Sequence, residues 1–244
     1  MIIDSHNHLG GPDKGDGKSQ SEDEILASMD KAGVEMAVVF PFNVEEPGIS
    51  FSTANDYIAA AVGRHPDRLT GFCRLDPNYG DKAVSELVRC VKYLGLKGIK
   101  LHPSSQDFPL DHPALLAVLS VAEDLGVPAL FDTGKKASPP MEVARLASRF
   151  PKLTVIMAHM NLYEETVEAA RTTPNIYIGT TGYFNVNRLG SAIRELGANR
   201  FLAGSDSPYI RMQREIEKFE GLNGLEEWER RAILGGNFGR IIAV

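Results

Sequence analysis

His6 and His8, in the run Asp4-Ser5-His6-Asn7-His8, have the residue type and spacing to grip one metal ion between them. Alternate side chains leave the same face of a β-strand about 6.5 Å apart, so imidazoles at i and i+2 can converge on a cation at about 2.1 Å. The apolar start Met1-Ile2-Ile3 reads as that strand. A solvated strand end would show the same two histidines, so their weight depends on what else the fold brings to this place.

Eight apolar runs alternate with eight amphipathic stretches. Strands are expected to begin near Met1, Met36, Leu69, Leu96, Pro128, Leu153, Ile176 and Phe201. Apolar residues recur at helical spacing over Glu22 to Ala32, Thr53 to Val62, Lys82 to Tyr93, Pro113 to Leu125, Met141 to Arg149, Tyr163 to Arg171, Arg188 to Leu196 and Met212 to Glu220. Gly33, Gly95, Gly126 and Gly197 stand where left-handed helix ends form, and Pro66, Pro151 and Pro174 stop other helices. Short-linked βα units imply a parallel sheet, and eight of them match a closed (β/α)8 TIM barrel, an α/β fold forming one domain over residues 1–244. A doubly wound open sheet is the rival, weakened because no Gly-x-Gly-x-x-Gly follows a strand. Leu225 to Val244 reads as an extra pair of C-terminal helices. The Gly-rich loop Gly10 to Ser19 reads as either a solvated connection or a mobile cover over the site.

In such a barrel the chemistry sits at the C-terminal ends of the strands. There the sequence places His6 and His8 on strand one, Arg74 and Asp76 on three, Lys100 and His102 on four, and Asp132 on five. His159 follows on strand six, Thr181 and Tyr183 on seven, and Asp206 on eight. His65 and His112, each before a proline at a helix boundary, are read as turn or cap residues. Any one of the others could be a loop residue. Together they would bury several ionisable groups in one mouth, which is costly unless a metal or one another satisfies them. One divalent metal is therefore expected, and nitrogen and carboxylate donors without thiolate suit Zn²⁺ first, with Mn²⁺, Fe²⁺ and Ni²⁺ as alternatives.

Composition narrows the function classes. A formal charge of −6 with no basic run argues against nucleic acid or anionic membrane as a partner. The longest apolar runs, such as Met36 to Phe40, are too short to span a bilayer. Asp4 interrupts any signal-type apolar run, so a cytoplasmic location is expected. Cys73 and Cys90 lack CxxC spacing and read as buried thiols. What remains is an enzyme acting on a small-molecule substrate.

These motifs resemble the amidohydrolase superfamily, in its compact branch that includes aminocarboxymuconate-semialdehyde decarboxylase and lactone hydrolases. The resemblance covers essentially the whole chain. It is carried by Asp4 to His8, by Gly98-Ile99-Lys100-Leu101-His102-Pro103, by Met157-Ala158-His159-Met160, by Gly204-Ser205-Asp206-Ser207-Pro208 and by Ile233-Leu234-Gly235-Gly236-Asn237. By resemblance, His6, His8 and Asp206 bind the metal, Asp206 also takes a proton from bound water, and His159 is the second catalytic residue. The chain departs from the pattern on strand five, where Asp132 stands before Thr133-Gly134 in place of the usual histidine ligand. Asp132 can still ligate, and His102 can replace the missing imidazole. A carbamylated Lys100 bridging two metals, as in other branches, and a homodimer are further implications of the likeness.

The leading expectation is a mononuclear hydrolase: the ion lowers the pKa of bound water, Asp206 accepts its proton, and hydroxide attacks a lactone, amide or similar carbonyl. Arg74 and Tyr183 are candidate substrate-binding groups, the guanidinium offering a fork for a carboxylate. Non-oxidative decarboxylation is the alternative chemistry, and a catalytically inactive ligand-binding barrel the alternative class. A nuclease would need a basic strand-binding surface, which the acidic balance disfavours.

Overall fold

A computed structural model of the chain describes residues 1–46 and 51–242. Its strands are β1 (Ile3–Leu9), β2 (Met36–Pro41), β3 (Leu69–Gly71), β4 (Cys73–Arg74), β5 (Ile99–Leu101), β6 (Ala129–Asp132), β7 (Val155–Ala158), β8 (Ile176–Gly179) and β9 (Phe201–Leu202). They pair in parallel in the orders β1-β2-β3 and β4-β5-β6-β7-β8-β9. β3 and β4 are one barrel strand interrupted at Phe72, whose N–H still donates to Val39 O at 2.9 Å. The ring closes between β9 and β1, where Ser5 N donates to Ala203 O at 2.9 Å, Asp206 N to His6 O at 2.8 Å and His8 N to Ser207 O at 2.9 Å. The chain thus forms the expected (β/α)8 barrel, and the open-sheet rival falls.

Strand alternation sorts side chains into two apolar layers. Val38, Phe40, Phe72, Leu130, Ile156 and Leu202 pack inside the barrel, together with Phe238 and Ile241. Ala37, Val39, Ile99, Leu101, Ala129 and Phe131 belong to the larger layer against the helices. Each fully buried Phe, Leu or Ile contributes about 1.5–3 kcal/mol by leaving water. The same parity turns Lys100, between outward Ile99 and Leu101, into the barrel, and likewise Asp132, two residues past inward Leu130. β1 needs a correction to do so. Its pairing runs from Asp4 to Asn7 against only Ala37 to Val39 on β2, a β-bulge with one extra residue. The bulge lets Ile3 stay in the inner apolar layer while His6 and His8 also face inward.

The helices are α1 (Glu22–Ala32), α2 (Ser52–Arg64), α3 (Asp81–Lys92), α4 (Pro103–Gln106), α5 (Pro113–Leu125), α6 (Pro140–Ala147), α7 (Tyr163–Thr172), α8 (Val186–Leu196), α9 (Met212–Glu220), α10 (Glu227–Arg231) and α11 (Asn237–Ile242). α1 shows why the boundaries were readable: Ser21 and Glu24 form a capping box, and Gly33 ends the helix at φ 68°. Three features differ from the sequence reading. β5 begins at Ile99: Leu96 N is still turned back to Cys90 O at the end of α3, and Lys97 N only touches the neighbouring strand at Gly71 O. α4 was not foreseen; its single turn starts at Pro103 directly behind β5. The C-terminal pair, α10 and α11, is joined through Ala232–Gly236 across a kink at Gly235, which leaves helical geometry, and residues 243–244 lie outside the described residues. Asn237 anchors it by donating to Ala198 O at 2.8 Å and Phe201 O at 2.7 Å. Among the described residues no helix is long and apolar enough to cross a membrane.

Candidate active site

The inward polar residues meet at the C-terminal mouth in two groups. In the first, Asp206 Oδ1 lies 3.4 Å from His6 Nε2 and 3.2 Å from His8 Nε2. Burial by itself would raise the Asp206 pKa, but the hydrogen bonds from His6 and His8 hold it well below the usual carboxylate range. Burial, and then the charge of Lys100, push His6 far below an ordinary histidine, and burial lowers His8 as well. Lys100, itself 1% exposed, has Nζ 3.3 Å from His6 Nε2 and 4.8 Å from the Phe40 ring, and burial lowers it to about 7. Tight backbone approach sets the group: a Cβ on Gly204 would lie 2.8 Å from His6 Cβ.

Asp132 is the centre of the second group. Its Oδ2 lies 3.2 Å from His159 Nε2 and 3.3 Å from His102 Nε2, and Lys135 Nζ lies 3.1 Å from Oδ1. Burial opposes ionisation, yet the hydrogen bond from His159 and the charges around it keep this carboxyl well below its normal range. His102 caps α4, its Nδ1 accepting from Ser105 N at 3.1 Å. That bond places the proton of the neutral ring on Nε2, facing Asp132. Burial lowers the His102 pKa to about 3, so the neutral ring persists.

His159 links the groups, its ring centroid 5.3 Å from that of His6. By alternation it should point outward, since Ile156 and Ala158 point in. A left-handed backbone, φ 66°, re-aims it, and Asp206 has φ 67°. Non-glycine residues pay roughly 1–2 kcal/mol for that conformation, and such strain concentrates at functional sites.

A cavity of about 280 Å³ opens over both groups; its wall includes His8, Arg74, His102, Asp132, His159 and Asp206. Tyr183 does not join them. Gly182 at φ 69° turns the chain after β8, and the Tyr183 ring stacks on Tyr163 at 5.8 Å instead. Asp13, Asn43, Ser105, Lys135 and Tyr209 also line the cavity and were not singled out from the sequence. They sit on loops or in α4, where no periodicity marks a facing; Lys135, three residues after Asp132, was the one within reach of a local argument. The Gly-rich loop is held at its base, with Gly10 and Gln20 bonded in both directions, and carries Asp13 into the cavity wall.

Neutral imidazoles and an ionised carboxylate are the protonation states that metal ligation requires. Ligand atoms of His6, His159 and Asp206 all lie within 4.8 Å of one another, so these residues fit a divalent ion, with His8 bonded to the same Asp206 oxygen. His102 and Asp132 fall outside that compact group and are occupied with each other.

Fold and mouth together define a TIM-barrel protein with a metal-competent active site. Across residues 3–241 the chain matches the amidohydrolase family model, and it belongs to that family. It is 26% identical, over an alignment 279 positions long, to a gamma-resorcylate decarboxylase of Polaromonas sp., covering 88% of this chain and 85% of that one. The Rhizobium radiobacter gamma-resorcylate decarboxylase is 28% identical over 211 residues, 64% of each chain. A crystal structure of a Polaromonas dihydroxybenzoic acid decarboxylase, holding manganese and 2-nitroresorcinol, shares the fold at TM-score 0.78 and 21% identity, covering 99% of this chain and 96% of that one.

Proposed function

We propose that this protein is a metal-dependent, non-oxidative decarboxylase of a small, single-ring carboxylic acid. Hydrolysis, the leading expectation from the sequence, gives way because the relatives matched along most of the chain are decarboxylases. The structural observation that carries the preference is the make-up of the cavity. Hydrolysis needs a free base for water, whereas decarboxylation needs an acid for carbon. Here Asp132 and Asp206 are each engaged by two imidazoles, and His102, His159 and Lys135 bring nitrogen donors to the wall.

His6, His8 and Asp206, the set the resemblance implies, would hold one divalent ion. His159 lies in the same compact group as His6 and Asp206 but is engaged by Asp132 at 3.2 Å, so we keep it beside the ion and not on it. Bound there, the ion would supply positive charge against the substrate carboxylate; manganese in a structural neighbour puts Mn²⁺ beside Zn²⁺ as the ion to test. In the reaction the bond from ring carbon to carboxylate breaks, carbon dioxide leaves, and the carbon takes a proton in its place. His159 is the group we assign to deliver it, because Asp132 orients its ring at 3.2 Å and its strained backbone aims it into the cavity. Phe40 and Phe42 are fully buried behind the His8 ring at 4.8 and 4.9 Å, and Tyr209, 5.6 Å from His8, is the aromatic side chain in the cavity wall that a flat ring could meet. A volume of about 280 Å³ suits one such ring.

The test is carbon dioxide release from 2,6-dihydroxybenzoate and related hydroxybenzoates by protein loaded separately with Mn²⁺ and Zn²⁺, beside a panel of lactones and amides. Gas release with the decarboxylated phenol as product is expected. Hydrolysis of a lactone or amide with no carbon dioxide from any acid would overturn the reading.

A further inference from the structure

Arg74 is 1% exposed, yet its guanidinium faces no carboxylate. Nε donates to Gln106 Oε1 at 3.3 Å, one terminal nitrogen to Pro41 O at 3.2 Å and the other to Ser105 Oγ at 3.0 Å, with the Phe51 ring 5.2 Å away. Those acceptors are all neutral, and a guanidinium has five N–H groups, so two remain unused. Among the described residues no carboxylate comes within ion-pair distance; Asp13, Asp132 and Asp76 act only from farther off. Lys218 shows the alternative in the same fold. It is similarly buried but is paired with Glu215 at 2.6 Å and bonded to Thr180 O at 2.9 Å. Arg74 lines the cavity and Lys218 does not.

From this unpaired cation in the cavity wall we infer that the substrate carries a second acidic group, held by Arg74 and Ser105, so that the ligand is a small dianion. The inference rests on the decarboxylase reading only for the fate of the first carboxylate. The inference stands on the geometry of Arg74: a buried guanidinium in the cavity wall, with Ser105 beside it and only neutral acceptors around it.

The experiment is calorimetric binding of benzoate, phthalate, isophthalate and terephthalate to metal-loaded protein, wild type, Arg74→Gln and Arg74→Lys. At least one diacid is expected to bind about tenfold or more tightly than benzoate, as a charge-assisted bidentate pair would provide. That advantage should fall to about twofold or less in Arg74→Gln and be partly kept in Arg74→Lys, which retains charge without the fork. Equal affinity for benzoate and all three diacids in the wild type, or a diacid preference surviving Arg74→Gln, would overturn the inference while leaving decarboxylation standing. The wild-type comparison decides even if a variant fails to fold. A diacid preference without carbon dioxide release from any acid would instead retain the subsite and remove the decarboxylase reading.

Discussion

Asp206 and Asp132 look alike in isolation: both sit at the barrel mouth, each touches two imidazoles, and each is held well below the normal carboxylate range. Their surroundings separate them. Asp206 shares its oxygen with His6 and His8, neutral rings whose Nδ1 atoms are buried without a partner. Asp132 is ringed by donors, with His102 fixed through Ser105 and Lys135 adding a positive charge. One half has beside it only Lys100, whose ammonium burial weakens to a pKa of about 7, and is suited to a metal cation. The other already holds its cation and is suited to orienting proton donors. A shared residue type at two strand ends thus serves two different tasks, set by the neighbours.

The largest effect should follow from Asp206→Asn, which we expect to lower turnover about 10³-fold or more and to strip the bound metal while the circular dichroism spectrum stays unchanged. Asp132→Asn should cost about 10²-fold in turnover with metal content retained. Elemental analysis of the two variants side by side tests the division directly. If Asp132→Asn loses metal to the same degree, Asp132 is a ligand and the two halves are one site. Gly204→Ala sharpens the comparison without removing any ligand. Its new Cβ would meet His6 Cβ at 2.8 Å and Ser5 Oγ at 2.9 Å, so metal affinity should drop about tenfold, measured by competition with a chelator. An equivalent loss of affinity on changing only the Asp132 half would break the contrast.

Much of this was legible because the responsible forces are local. Eight surrounding helices lie within two residues of their expected bounds, since capping residues such as Ser21 and Gly33 act on their own turns. His6, Lys100, Asp132 and Asp206 could be assigned to the mouth from strand-end position alone. The division between the groups was not readable, since it depends on which oxygen each imidazole meets across the barrel. His159 is the sharpest case: its motif marked it, but simple alternation would have turned it outward, and only the left-handed backbone brings it in. Tyr183 failed for the converse reason. Its place at a strand end suggested the mouth, but β8 stops at Gly179 and the turn at Gly182 carries the ring away.

The smallest effect we expect is one of stability, and it isolates the Asp132 half in metal-free protein. His102 is held at about 3 in the folded chain against a reference of 6.5, so between those values the unfolded chain binds the proton that the folded one refuses. Its contribution is therefore complete above about pH 6.5 and is lost as the pH falls toward 3. His6 and His8 act in the same direction, and Asp4, pushed up to about 7 by burial, acts in the opposite one, so the raw slope is a mixture. Asn at position 102 can keep the cap on Ser105 N but has no proton to titrate. The difference between wild type and His102→Asn then isolates one proton: between pH 6 and 4.5 the variant's stability should fall less steeply, by up to about 1.4 kcal/mol per pH unit in urea unfolding. Parallel curves for the two proteins would mean that His102 titrates normally in the folded chain, and its fixed role as a neutral donor to Asp132 would be lost.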